Sequence, residues 1–330
     1  MIGLAMLGSS RAVHVRLTKE GVIVTEDEVL AAFAKSVTAA GLGGGSDTQG
    51  IGDDAAVVPI SDSLVTSVDV VVEGVHGDFS FSSLKDFGWR AVGAALSDLA
   101  AMGVLPVGLL SSVVTPSLDR FEELGAGILA AATAYSCPIL GGDLSGGPVW
   151  SVSITVLGET GGRPVVHRSG ARPGDHLVLT GPLGAAARGL ELLQRGVTRH
   201  DAPADDATAI ERHLRPIPRL DAGVAARRAG VHAMCDVSDG LGIDLDRLMH
   251  ASGTGVALED VPVFPGATEE QAVGGGDDYE LLIATDDLET LRDEFARAGV
   301  AEPIVIGQVV QDASIRTFRG THIIASGWRH

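Results

Sequence analysis

The chain has 330 residues, 45% hydrophobic and 20% charged, with a formal net charge of −19 at pH 7. That size and composition describe a globular chain of about two domains. The acidity excludes a large basic footprint for nucleic acid and a polybasic attachment to anionic lipid.

The predicted elements alternate along the chain. Residues 1–25 read as a loose N-terminal extension rather than a signal peptide, because the apolar stretch is short and no clear cleavage site follows. Thr25-Glu26-Asp27-Glu28 is a capping-box pattern that opens a helix through about Val37. A glycine-rich loop follows over residues 41–52. Strands are expected at 55–60 and 64–72, a helix at 84–102, a strand at 107–114, a helix at 118–135 and a strand at 149–157. Polar Gly161-Gly162-Arg163-Pro164 is a plausible boundary, dividing the chain into 26–163 and 164–330. The second half restarts with a strand at 176–180 and a helix at 185–195. A polar surface loop over 198–206 comes next, then a helix at 239–252, a strand at 279–285 and a helix at 288–299. Strands close the chain near 304–309 and 321–325. This alternation argues an α/β class without a strict doubly wound sheet. Aromatic residues are 4% of the chain, so Ala, Val, Leu and Gly must build the core. Cys137 and Cys235 lie in apolar surroundings and are expected as reduced, buried thiols of a cytoplasmic protein. No apolar run reaches the length of a membrane span.

Aspartates recur at the ends of the apolar runs, mostly beside glycine: Gly52-Asp53-Asp54, Asp69, Ser97-Asp98, Gly141-Gly142-Asp143, Asp236-Val237-Ser238-Asp239-Gly240 and Gly275-Gly276-Asp277-Asp278. One such site is ordinary turn chemistry. Several carboxylates on glycine-rich loops are what a chain needs to hold hard cations against phosphates, since Mg²⁺ takes oxygen ligands and bridges carboxylates to substrate phosphates. Alternation along a strand lets only one of Asp53 and Asp54 face a given site. Asp98 interrupts an otherwise apolar helix pattern, where an unpaired carboxylate is costly; it needs a cation, a hydrogen-bond network or solvent. Asp236 and Asp239 flank a helix start. There, one of them or Ser238 is an N-cap, or the group receives metal-bound phosphate at the helix N-terminus.

Several common chemistries are missing. No Walker loop, G-x-G-x-x-G, H-E-x-x-H, paired C-x-x-C or G-x-S-x-G occurs in the chain.

The ordered set Gly52-Asp53-Asp54-Ala55-Ala56, Val72-Glu73-Gly74-Val75-His76, Leu96-Ser97-Asp98-Leu99-Ala100-Ala101-Met102-Gly103, Gly141-Gly142-Asp143, Arg168-Ser169-Gly170-Ala171, Asp236-Val237-Ser238-Asp239-Gly240-Leu241 and Gly275-Gly276-Asp277-Asp278-Tyr279-Glu280-Leu281 resembles the thiamine-monophosphate kinase family. That family belongs to the superfamily of aminoimidazole ribonucleotide synthetase. The resemblance implies an N-terminal mixed sheet with helices that closes a β-barrel with its twin in a homodimer, a C-terminal α/β domain, and an active site in the cleft between them. It implies transfer of a phosphoryl group from ATP to thiamine monophosphate with several Mg²⁺ ions. By motif position, Asp54, Asp69, Asp98, Asp143, Asp236 and Asp239 hold the metals, with Ser67 as a further ligand. Tyr135, Gly142, Asp143, Arg168 and Ser238 contact ATP; His76, Asp277 and Trp328 contact thiamine monophosphate. The chain departs from the family where Gly-Gly-Asp-Thr-Thr-Arg-Gly becomes Gly141-Gly142-Asp143-Leu144-Ser145-Gly146-Gly147. It departs again where Gly-Gly-Glu-Asp becomes Gly275-Gly276-Asp277-Asp278, one methylene shorter, and where Val68 replaces a more usual Thr.

Overall fold

A computed structural model of the protein describes residues 16–17, 23–24, 26–42, 58, 60, 62–323 and 327–328. In chain order the elements are β1 (Arg16–Leu17), β2 (Ile23–Val24), α1 (Glu26–Ala39), β3 (Leu64–Val72), α2 (Leu84–Ala101), β4 (Pro106–Thr115), α3 (Phe121–Ala134), β5 (Ile139–Gly146), β6 (Ser151–Glu159), β7 (His176–Leu179), α4 (Ala185–Gln194), α5 (Ala204–Leu214), α6 (Leu220–Ala229), β8 (Ala233–Val237), α7 (Leu241–Ser252), β9 (Gly255–Leu258), α8 (Glu269–Gly274), β10 (Glu280–Thr285), α9 (Leu288–Ala298), β11 (Ile304–Val310), β12 (Arg316–Phe318) and β13 (Thr321–His322). The expectations for Asp53, Asp54, the strand at 55–60 and most of the glycine-rich loop lie outside the described residues. Within the expected N-terminal extension, β1 and β2 pair antiparallel.

The chain folds as two α/β domains with mixed sheets. The first sheet has the order β3-β6-β4-β5, antiparallel except for β4 beside β5. The second has the order β13-β12-β9-β11-β7-β10-β8 and is antiparallel except for β12 beside β9. Among the described residues of this single chain no closed barrel forms.

Helix α2 positions the site. Ser83 and Asp86 form a reciprocal capping box that starts it. Its apolar positions bury Phe87, Leu96 and Leu99 against the first sheet and α3. Glycine sets the α2–α3 distance: a Cβ on Gly88 would lie 2.4 Å from the Leu124 carbonyl oxygen, and one on Gly127 would lie 2.1 Å from that of Lys85. On its other side α2 meets the second domain. A Cβ on Gly223 of α6 would come within 2.0 Å of the Ala100 carbonyl oxygen, and Trp89 donates its indole N–H to the Pro216 carbonyl over 3.1 Å. One apolar core therefore runs from the first sheet through α2 into α6, Met234 and Ile283.

Two expectations fail for physical reasons. The Gly141-Gly142-Asp143 segment is not a loop but the middle of β5, paired in parallel with β4. Glycine suits that strand, because a Cβ on Gly142 would meet the Ser111 carbonyl oxygen at 1.9 Å. The polar run over 198–206 is a loop only as far as Pro203, after which α5 begins at Ala204. Its first-turn Asp205 and Asp206 read as loop residues in sequence, yet carboxylates are favourable at a helix N-terminus.

Candidate active site

The two faces of β3 have different tasks. Ser67 and Asp69 pair with buried Val156 and Ile154 of β6, so both lie on the core-facing side of the sheet. Val68 and Val70 alternate to the outside, at 63% and 48% exposure. Across the inner side α2 offers Ser97 and Asp98. The Ser67 hydroxyl donates to Asp98 Oδ2 at 2.5 Å. One residue back, the Ser97 hydroxyl donates to Asp236 Oδ2 at 2.7 Å, from the end of β8 in the other domain. The structure thus brings Ser67, Asp69, Asp98 and Asp236 to one junction of β3, α2 and β8.

These carboxylates are short of positive charge. Burial pushes Asp98 above the ordinary carboxylate range, against the Ser67 hydrogen bond and the field of Arg168. Burial, and then the neighbouring Asp98 charge, push Asp236 up to about 7. The cation that opposes both is Arg168, an exposed side chain. Two acids held together against their own repulsion, with only oxygen donors around them, fit a hard divalent cation such as Mg²⁺. Among the described residues no group of three or more His, Cys, Asp or Glu side chains is arranged to hold a metal ion by itself.

The Asp236–Gly240 loop separates its own acids. Gly240, at φ +117°, starts α7, and no side chain caps it in the forward direction. Instead Asp244, inside the first turn, accepts the backbone N–H groups of Ser238 at 3.0 Å and Asp239 at 2.9 Å. The N-cap reading of Asp236, Ser238 or Asp239 fails because Gly240 occupies the N-cap position, while Asp244 ties the preceding loop to the helix. Asp239 turns to Arg247 at 2.5 Å, while Asp236 stays buried in β8.

Two of the expected acceptor residues, Asp277 and Trp328, lie against the same loop. The Asp277 N–H donates to the Ser238 carbonyl at 2.7 Å, and the Tyr279 N–H donates to that of Val237 at 2.8 Å. Asp277 and Tyr279 adopt φ of +68° and +52°, conformations non-glycine residues adopt at a cost of about 1–3 kcal/mol each. Trp328 exposes about half its surface and docks by its backbone, donating to the Asp239 carbonyl at 2.8 Å. His76 sits in the turn after β3, where its Nδ1 accepts the Val72 N–H at 3.1 Å.

Tyr135 and Asp143 stand apart. Tyr135 ends α3 with its ring edge-on to Trp89, 5.9 Å between centroids, and burial pushes its hydroxyl up to about 12. Gly142 and Asp143 are exposed on β5, where the Ser145 hydroxyl donates to Asp143 at 3.2 Å. Asp143 shares a register row with Ser112, Ser153 and Val70, hence the outer face of the sheet. It lies three strands from β3, about 14 Å at ordinary strand spacing, so one chain does not bring it to Asp69 and Asp98.

Sequence reasoning missed Arg90. This buried α2 side chain pairs with Asp277 at 2.8 Å. The available signal was the one that marked Asp98: a charge set inside an apolar helix. Asp278 and Glu280 were quoted only as parts of a motif. Asp278 accepts the Gly184 and Ala186 N–H groups at the start of α4, at 2.6 and 3.1 Å. Glu280 is gripped by Arg219 and Thr180.

Two family models match the chain: AIR synthase related protein, N-terminal domain, over residues 52–160, and AIR synthase related protein, C-terminal domain, over residues 172–319. The fold and the interdomain acids thus define a two-domain member of the AIR synthase related proteins. The thiamine-monophosphate kinase of Synechococcus elongatus is 36% identical over 254 residues, covering 70% of this chain and 76% of that protein. The crystal structure of thiamine-monophosphate kinase from Stenotrophomonas maltophilia K279a superposes with a TM-score of 0.77 at 31% identity, covering 90% of this chain and 97% of that one. A structure of AaThiL complexed with AMPPCP and TMP superposes with a TM-score of 0.73 at 29% identity, covering 92% and 96%. The chain belongs to the thiamine-monophosphate kinase family.

Proposed function

We propose that this protein transfers the γ-phosphoryl group of ATP to thiamine monophosphate, giving thiamine diphosphate and ADP. The observation that carries the reading is a pair of charge-starved acids from two domains, half-buried Asp98 and buried Asp236, each bound by a serine hydroxyl of the first domain, in a chain of this family. Asp69, Asp98 and Asp236, with Ser67, are the residues that would hold Mg²⁺. Asp54 and Asp239 complete the proposed set, the latter on release from Arg247. Bound there, the cations would neutralise phosphate charge. Arg168, whose planar fork suits phosphate, would contact ATP together with Ser238 and Tyr135, and Gly142 and Asp143 would reach it only from the second copy of a dimer. His76, Asp277 and Trp328 receive the acceptor.

The chemistry needs no protein nucleophile or base. A phosphate monoester has its second pKa near about 6, so the acceptor oxygen is already charged near neutral pH. What the protein must supply is alignment of two anions and relief of their repulsion. Transfer is therefore direct and in line, without a phospho-enzyme.

The homodimer belongs to the same proposal. Val68, Val70 and Leu110 expose apolar surface on one face of the first sheet, and covering it with a second copy would close the barrel. The outward placement of Asp143 supports a role beside that interface rather than within the junction of its own chain. Sedimentation equilibrium of the native chain reads the dimer directly. The domain division is placed at 163/164, between the two sheets. Buried free Cys137 and Cys235 support a cytoplasmic setting; among the described residues no helix is long and apolar enough to cross a membrane.

The test is formation of ADP and thiamine diphosphate from ATP, Mg²⁺ and thiamine monophosphate, with Asp236→Asn as control. Equal amounts of both products, lost in the variant, are expected. Tight binding of both ligands without turnover would instead make the protein a sensor.

A further inference from the structure

We infer that Arg90 is a positioning residue for the phosphoryl acceptor: it reaches across the domain junction to hold the Asp277 carboxylate charged and aimed. The inference rests on the proposed kinase reading, in which Asp277 meets thiamine monophosphate. Arg90 is 5% exposed and rises from the middle of α2 in the first domain. Its Nη1 donates to Asp277 Oδ2 at 2.8 Å. Its Nη2 donates to the His213 carbonyl and lies 3.4 Å from His213 Nδ1. Burial and the Arg90 charge push His213 down to about 3 and hold it neutral.

Asp277 is held from every side but one. Arg90 engages Oδ2, and the Tyr279 hydroxyl donates to Oδ1 at 3.2 Å. The backbone N–H is tied to Ser238. A carboxylate has about four lone-pair sites, and these contacts leave part of that capacity free. The Asp277 side chain remains 36% exposed, whereas that of Arg90 is 6% exposed. An amine or cationic heterocycle, such as the aminopyrimidine and thiazolium of thiamine, is the chemistry such a carboxylate receives. The Ser238 carbonyl that anchors Asp277 lies in the loop between Asp236 and Asp239. Arg90 therefore sets the acceptor residue relative to the acids proposed to hold the cations. It does so from α2, which also carries Asp98.

The experiment is steady-state kinetics on the full-length enzyme with Arg90→Met, Arg90→Lys, Asp277→Asn and the Arg90→Met/Asp277→Asn double variant, each checked for folding by thermal melting. Arg90→Met is expected to raise the KM for thiamine monophosphate about 10-fold or more, the scale of a lost hydrogen bond to a charged group, with the KM for ATP nearly unchanged. Arg90→Lys keeps the charge without the fork and is expected to recover part of the loss. The double variant is expected to be no worse than Asp277→Asn alone. Three results would overturn the inference: a native KM for the acceptor in both Arg90 variants, equal damage to both substrates, or additive effects in the double variant. Should Arg90→Met fail to fold, Arg90→Gln takes its place, and a native acceptor KM in that folded variant overturns the inference. If Asp277→Asn leaves the acceptor KM unchanged, the placement of Asp277 is wrong and the inference falls with it. Product formation by the native enzyme still decides the kinase reading separately.

Discussion

The molecule contains two kinds of buried carboxylate at its domain junction, and they behave in opposite ways. Asp86 lies at 2% exposure, yet its pKa is lowered: Ser83, Arg199 and Arg215 more than offset the cost of burial. Asp98 lies about three helical turns further along α2, and Asp236 faces that end of the helix from β8. Each has a serine hydroxyl and only the distant help of Arg168, and each is pushed upward. The same helix thus carries a saturated acid at its start and a starved one near its end. Saturation marks an acid that holds the fold together. Starvation marks one kept for something the chain itself does not supply, here the proposed cations.

Substitution should separate the two kinds. The largest effect is expected for Asp98→Asn, which keeps the shape and the Ser67 contact but removes the charge. Turnover should fall about 100-fold or more, the usual scale for deleting one group that stabilises transition-state charge. Thermal stability should hold or rise, because an under-compensated buried charge is gone. A coupled ADP assay and a melting curve on the same preparation check both halves; a variant with native turnover would erase the distinction. Asp86→Ala should do the reverse. It removes the capping box and the shared partner of Arg199 and Arg215, at a cost of about 3 kcal/mol in folding stability. The KM values of the folded fraction should stay near native. Urea unfolding measures the first, and kinetics well below the melting temperature the second.

Much of this contrast was legible before the fold was known. The acids beside glycine and the charge inside an apolar helix picked out Asp98 and Asp236. On β3 the strand pairing turns Ser67 and Asp69 inward and Val68 outward, so a Thr at position 68 would not face the same junction of its own chain. Illegible features were those made by contacts remote in sequence. Arg90 meets Asp277 across 187 positions, and nothing local to either residue announces the other. Glycine in β5 looked like turn chemistry because its reason, the close approach of the Ser111 carbonyl, comes from a neighbouring strand. Asp236, Ser238 and Asp239 have the residue types of an N-cap, but Gly240 takes that position and Asp244 reaches back from inside α7 to hold the loop before it.

Asp278 tests how far the contrast extends, because it combines both kinds. It accepts two backbone N–H groups at the start of α4, as a structural acid should. Burial nevertheless pushes it up to about 7, and the charges of Glu280 and Asp277 add to the rise. An unfolded Asp titrates near about 4, so the folded protein binds this proton more tightly than the unfolded chain. Its stabilising contribution is therefore complete below about pH 4 and is lost as the pH rises through about 7. Asp278→Asn cannot titrate, so its melting temperature should decline less between pH 5 and pH 8 than that of the native protein. Its absolute stability is a poorer guide, because the amide turns one donor toward a backbone N–H. Parallel melting curves across that range would place Asp278 with the saturated acids. A shallower slope would show that two backbone donors do not offset burial beside two like charges.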